Sequence, residues 1–237
     1  MVTDALVQSV SVLLLGLVLG LQHALDADHV AAMSTLISRE RSLRRVSWLG
    51  TLWGIGHTTT LLTVGLIILL LKVTIPKTLA LSFEFLVGGV LVFLGLAALL
   101  RARKLRLHLH QHTHAGKTHT HLHAHAQGGP HVHAHSHQSF ALGLLHGLAG
   151  SAALMLLVLS TVHSVVAGVY FILIFGIGSV LGMLIVSSIL GSVFMYTAQR
   201  FERFSLAMHV ASGAISIILG ASIMYQIGIA QGLLAIP

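Results

Sequence analysis

From about residue 5 to residue 233 the chain is a succession of apolar runs, each about 20 residues long or more. A helix needs about 20 apolar residues to cross ~30 Å of hydrocarbon, so every run is a candidate membrane span. Six are expected, at roughly 5–37, 46–71, 79–100, 139–161, 164–194 and 204–233. Only 8% of the residues are charged, against ~25% in ordinary soluble domains. The expected fold class is an all-α polytopic membrane protein. The bilayer is its first partner.

A formal net charge of +7 invites a nucleic-acid reading, but the placement of the charges argues against one. Eleven of the thirteen Lys and Arg fall at Arg39 to Arg45, Arg101 to Lys117, and Arg200 with Arg203. Basic loops after spans one, three and five are what the positive-inside rule produces. They put those loops in the cytoplasm, both termini outside, and the protein in the cytoplasmic membrane. No nucleic-acid partner is expected. The absence of cysteine removes disulfides and thiolate metal sites. The first segment lacks a basic n-region, so a cleavable signal peptide is not expected.

The two halves overlay at an offset of 122 to 125 residues. GLQHALDADHVAAM from Gly20 lies over GLLHGLAGSAALML from Gly143, pairing His23 with His146. WGIGHTTTLL from Trp53 lies over FGIGSVLGML from Phe175, pairing His57 with Ser179. Glu84, Gly88 and Gly95 lie over His209, Gly213 and Gly220. Three spans per repeat is an odd number, so the second copy must be upside down. The expected architecture is six transmembrane helices as two inverted three-helix repeats, residues 1–100 and 139–237, joined by a loop at 101–138. Secondary transporters are often built this way, with the site at the repeat interface near the midplane.

Within the first span, LGLQHALDADHVAAM places His23, Asp26, Asp28 and His29 in an otherwise apolar run. Carboxylates at bilayer depth are costly by at least ~2.5 kcal/mol each on insertion scales, and mark function. At 100° per residue His23, Asp26 and His29 share one face of an ideal helix, while Asp28 points nearly opposite. Either Asp28 serves another helix, or the helix unwinds around Ala27 and turns all four groups together. The span is also longer than a bilayer needs, so its end projects into the cytoplasm or the helix is broken. Imidazole and carboxylate without thiolate suit a borderline divalent ion such as Ni, Co or Zn.

His57, in Gly-Ile-Gly-His-Thr-Thr-Thr, is the leading ligand from a second helix, and His146 follows as the symmetric partner of His23. Glu84, His163 and His209 are weaker candidates near span ends. Between His108 and His137 twelve histidines alternate with Thr, Ala, Gly, Gln and Leu. That stretch cannot bury a core and is expected to stay disordered as a cytoplasmic metal buffer.

His23, four residues, then Asp28-His29 resembles the HX4DH signature of the nickel/cobalt transporter (NiCoT) family, in its fuller form HAxDADH. Gly56-His57 resembles that family's second polar motif. The resemblance implies a high-affinity secondary permease for Ni2+ or Co2+, with His23, Asp28 and His29 recognising the metal. Typical members have eight spans with the signature in the second. Six spans with the signature in the first resembles the shorter branch associated with urease or hydrogenase nickel supply, as does GLLHGLAGSAAL from Gly143. The resemblance adds a cytoplasmic metallochaperone as a candidate partner, and no prosthetic group beyond the transported ion.

No Gly-x4-Gly-Lys-Ser/Thr loop is present for ATP, and no His-Glu-x-x-His for a metalloprotease. An enzyme is not expected. Metal import is the primary expectation. Efflux fed by the histidine tract is its rival, and a metal sensor or membrane metalloenzyme is more remote.

Overall fold

The computed structural model describes the backbone of residues 2–38, 40–73, 75–105, 110–114, 117–121, 132–161 and 164–234. Side chains of residues 2–10, 12, 103–135, 151–163 and 202–203 lie outside this description.

The chain is helical from end to end of its apolar portion. Helix α1 (Val2–His23) stops at the acidic cluster, and α2 (Ala27–Ile37) restarts after it. Then come α3 (Leu43–Leu71), α4 (Lys77–Leu105), α5 (Val132–Thr161), α6 (Val165–Arg200) and α7 (Glu202–Tyr225), which runs into a π-helical turn at Gln226–Ala230. In the histidine-rich loop, β1 (His110–His114) and β2 (Lys117–His121) pair antiparallel, with His112 opposite His119.

Among the described residues four helices are long and apolar enough to cross a membrane: Leu43–Leu71, Lys77–Ala102, Val165–Arg200 and Phe204–Ala230. Their outward faces carry large apolar side chains such as Leu70, Phe93, Ile189 and Ile218. Such a belt is a liability in water and the natural surface in lipid. The chain is a membrane protein.

Local sequence explains the helix ends. Ser164 caps α6 by accepting the Ala167 N–H at 3.1 Å. Lys72 closes α3 in the left-handed region at φ 52°. The first expected span is divided because Leu-Asp-Ala-Asp favours a helix start over a helix interior. Asp26 takes φ −57°, ψ 141°, with the turn held by Leu25 N–H to Gln22 O at 2.8 Å and Asp26 N–H to His23 O at 3.1 Å. The break lies at Ala24 to Asp26, just ahead of the Ala27 position where unwinding is expected from the sequence.

Helix α3 packs between α5 and α6, α1 packs on α6, and α4 on α7. After the break, α2 turns toward α7, α4 and α6. Glycines allow backbone to meet backbone. A Cβ at Gly20 would stand 2.1 Å from the Phe175 carbonyl oxygen, and one at Gly143 2.1 Å from that of Trp53. Beneath the break, Met33, Ile37, Val46, Leu49, Trp53, Leu91 and Met183 form a buried apolar cluster. It closes the bundle on that side.

Candidate metal centre

Four helices and the break between two of them bring the polar residues together. His23 is the last residue of α1 and Asp26 stands in the break; Asp28 and His29 open α2. His57 comes from the middle of α3 and His146 from α5. Both are buried, as is His29. The six sequence candidates line one cavity of about 640 Å3.

The hydrogen bonds fix which face each ring shows. His23 Nδ1–H donates to Asp26 Oδ2 at 2.8 Å, and His29 Nδ1–H to Asp28 Oδ1 at 3.1 Å. His146 Nδ1–H donates to the Leu142 carbonyl at 3.0 Å. With Nδ1–H so engaged, each of these three rings turns its Nε2 away from that oxygen partner. His57 Nε2 lies 3.1 Å from His23 Nε2, so one proton is shared between two imidazoles. His146 Nε2 approaches Asp28 Oδ2 at 4.0 Å, too long for a hydrogen bond. His29 also packs against His57 and His146, with ring centroids 5.4 and 5.0 Å apart.

Among the described residues, His29 Nε2, His57 Nδ1 and His146 Nε2 are buried with no hydrogen-bond partner. A buried polar atom left unpaired costs about 1–3 kcal/mol, so three in one cluster need a reason to persist. The nearest potential ligand atoms of His23, His29 and His57 lie within 4.8 Å of one another, as do those of Asp26, Asp28 and His29. That is the spacing of groups able to close on one cation.

The two aspartates are not equivalent. Asp28 is half-buried between His29 and His146, while Asp26 is 53% exposed at the cavity mouth. A helical wheel puts Asp28 opposite the histidines. Because the helix restarts at Ala27, Asp28 instead enters the first turn of α2 and shares its dipole's positive end with Asp26.

Other candidates separate clearly. Glu84 lines the same cavity from α4. His209 lies elsewhere, its Nδ1–H donating to Ser205 O at 2.6 Å and its ring against Phe194. His163 is outside the described residues. The threonines after His57 tie helices together: Thr58 donates to Gly176 O at 3.2 Å and Thr60 to Leu144 O at 3.0 Å. Sequence reasoning passed over Gln22, Gln226 and Gln231, whose amides line the cavity. Their signal was present as isolated amides in apolar surroundings, Gln226 opening the π-helical turn and Gln231 following it. Gly150 borders the cluster, where a Cβ would make ordinary van der Waals contact with the His23 ring at 3.7 Å and the His57 ring at 3.9 Å.

The model of the family described as NicO, high-affinity nickel-transport protein, matches residues 9–234. The chain is 40% identical over 227 residues to urease accessory protein UreH of Bacillus sp. (strain TB-90), covering 96% of each chain. The chloroplast proteins FOR GROWTH AND FERTILITY 2 and 1 of Arabidopsis thaliana are each 28% identical over 211 residues. The match covers 88% of this chain and 55% and 57% of theirs. No solved structure matches the chain.

Proposed function

Because the chain belongs to the NicO family of high-affinity nickel-transport proteins, we propose that it is a permease importing Ni2+, with Co2+ next in preference, through the histidine–aspartate cavity. A transport family, and not an enzyme family, is its place. The observation that carries the site is the orientation of His23, His29 and His146. Each gives Nδ1–H to an oxygen and turns Nε2 the other way, the arrangement that metal-binding imidazoles adopt when an outer oxygen fixes the tautomer. Two imidazole nitrogens at right angles on one ion, with bonds of about 2.1 Å, stand about 3 Å apart. His23 Nε2 and His57 Nε2 are 3.1 Å apart, so an ion replacing their shared proton asks the two rings to turn toward it without changing their separation. Asp28 supplies the charge that compensates lost hydration, and His146 and Asp26 complete the ligand set from either side.

Six spans in two inverted repeats fit the packing. Gly20 against Phe175 O is matched by Gly143 against Trp53 O, and Gly178 against Leu17 O by Gly56 against Phe140 O. Gly95 against Gly213 O is matched by Gly220 against Gly88 O. Every member of these pairs exchanges with its counterpart in the sequence overlay. This supports α1 with α2, α3 and α4 as one repeat and α5, α6 and α7 as the other.

The side on which the cavity opens supports the import reading. Its lining reaches Glu84 near the start of α4 and Gln226 and Gln231 beyond the end of α7. Arg101 is at the far end of α4. With the basic end in the cytoplasm, the cavity faces outward and the apolar cluster under it bars the inner side. Two charges moving inward gain roughly 4.6 kcal/mol per 100 mV of membrane potential. The loop at 101–138 then receives arriving ions in the cytoplasm, or passes them to a metallochaperone.

Purified protein in liposomes tests this reading. Wild type should accumulate nickel when the interior is negative, and His23→Ala and Asp28→Ala should fall to the protein-free rate. Net nickel loss under the same potential would mean efflux. Unchanged flux in both variants would remove the site.

A further inference from the structure

A second cavity, of about 750 Å3, lies at the other end of α2. Its polar wall holds Arg41, Arg45, Arg101 and Glu40, and its apolar wall includes Phe93, Ala97 and Leu145. Glu40 is spent on Arg45, whose Nη1 stands 3.3 Å from Oε2. Among the described residues neither Arg41 nor Arg101 has an ion-pair partner. The cavity thus carries two uncompensated positive charges side by side with a greasy wall.

Its position is that of a bilayer interface. Arg41 and Arg45 flank the start of the span Leu43–Leu71, and Arg101 ends the span Lys77–Ala102. Phe93, two turns along α4 from Arg101, is 69% exposed, so the apolar wall is open to the hydrocarbon side. We propose that this cavity binds an anionic phospholipid, with its phosphate on Arg41 and Arg101 and an acyl chain along α4 past Ala97 and Phe93.

Charge complementarity selects this occupant. A departing divalent cation would meet an excess of arginine. The adjoining chain segment is no better a match, because residues 101–138 contain no Asp or Glu. Basic recesses between membrane helices hold acidic lipid headgroups for the same reason, each arginine near the surface favouring an anionic lipid about fivefold. Losing two should lower occupancy about thirtyfold.

The test uses the full chain reconstituted in a four-to-one mixture of phosphatidylcholine and phosphatidylglycerol, then moved into phosphatidylcholine micelles for native mass spectrometry. Wild type should keep one phosphatidylglycerol per chain. R41Q/R101Q should lose it by about thirtyfold, while R41K/R101K stays within a few-fold of wild type and K72Q/K77Q, at the opposite end, is unchanged. Unfolding temperature in pure phosphatidylcholine should be the same for wild type and R41Q/R101Q, which keeps lipid loss separate from misfolding. Equal retention by wild type and R41Q/R101Q would overturn the proposal. So would displacement of the lipid by millimolar inorganic phosphate, which would make the site a free-phosphate site, or a dimer that survives in place of lipid. None of these readouts involves metal, so the result is independent of the proposed transport activity.

Discussion

Gly20 and Gly143 make the same kind of backbone approach on opposite sides of the bundle, and each is followed three residues later by a histidine. Beyond that point the halves part. After His23 come Asp26, Asp28 and His29; after His146 come Ala149, Ser151 and Ala152. In α3 the Gly-Ile-Gly step leads to His57, and in α6 the same step leads to Ser179, buried beside Gly20. Packing is shared and chemistry is not. The lesson is that helix approach needs only small residues at the contact, which both halves can supply. Binding one ion needs a single ligand set, which an exact two-fold would duplicate or split.

The sharpest way to break this contrast is to remove one residue at the same place in each half. His57→Ala should cut nickel flux in liposomes by about 100-fold, the upper end for a lost ligand or its partner, whereas Ser179→Ala should leave it nearly intact. Equal losses would mean that Ser179 carries as much of the site as His57. The shared part of the comparison is tested by Gly20→Val and Gly143→Val. Both force backbone apart and should destabilise the folded protein by similar amounts, about 1–3 kcal/mol or more in detergent unfolding. A large asymmetry between them would count against a pseudo-symmetric bundle.

Asp26→Asn is expected to be milder than Asp28→Asn, because Asp26 is mostly exposed and already holds the His23 Nδ1–H. A rise of about tenfold in the half-saturating nickel concentration is expected, read from initial uptake rates. Acidification should act in the same direction and more weakly. Imidazole must be neutral to bind, so protons compete with the ion, and lowering external pH should raise the half-saturating concentration while the maximal rate changes less. Deleting residues 108–137 should have the smallest effect on the initial rate, since it leaves His23, Asp28, His29, His57 and His146 of the cavity lining in place. Intracellular retention of the metal is the quantity that should change.

How much of this was legible in the sequence depends on what fixes each feature. Helical spans follow from run length, and α3, α4, α6 and α7 fall close to their expected places. The assembly of His57 and His146 next to His23 was legible from glycine-rich contacts and the internal overlay, which are local signals. The break in the first span was legible as an alternative, but its position was not. A wheel drawn through Leu25 and Asp26 assumes an unbroken helix, and three residues of turn rotate everything after them. Asp28 consequently faces His29 and His146, and Asp26 moves to the mouth. Gln226 and Gln231 were not legible as cavity residues, because their place in the lining depends on how the end of α7 and the π-helical turn pack against α4. Arg41 and Arg101 read as topology signals in sequence, since their shared cavity depends on how α2 packs against α4.

The central claim is that one divalent ion is held by imidazoles of α1, α2 and α3 at the helix break. Nickel-edge X-ray absorption on protein lacking residues 108–137, loaded with one Ni2+ per chain, tests it most directly. The account predicts the outer-shell scattering of at least three imidazoles, with one lost in His57→Gln and one in His23→Gln. A spectrum of fully hydrated nickel, or one unchanged in both variants, would contradict it.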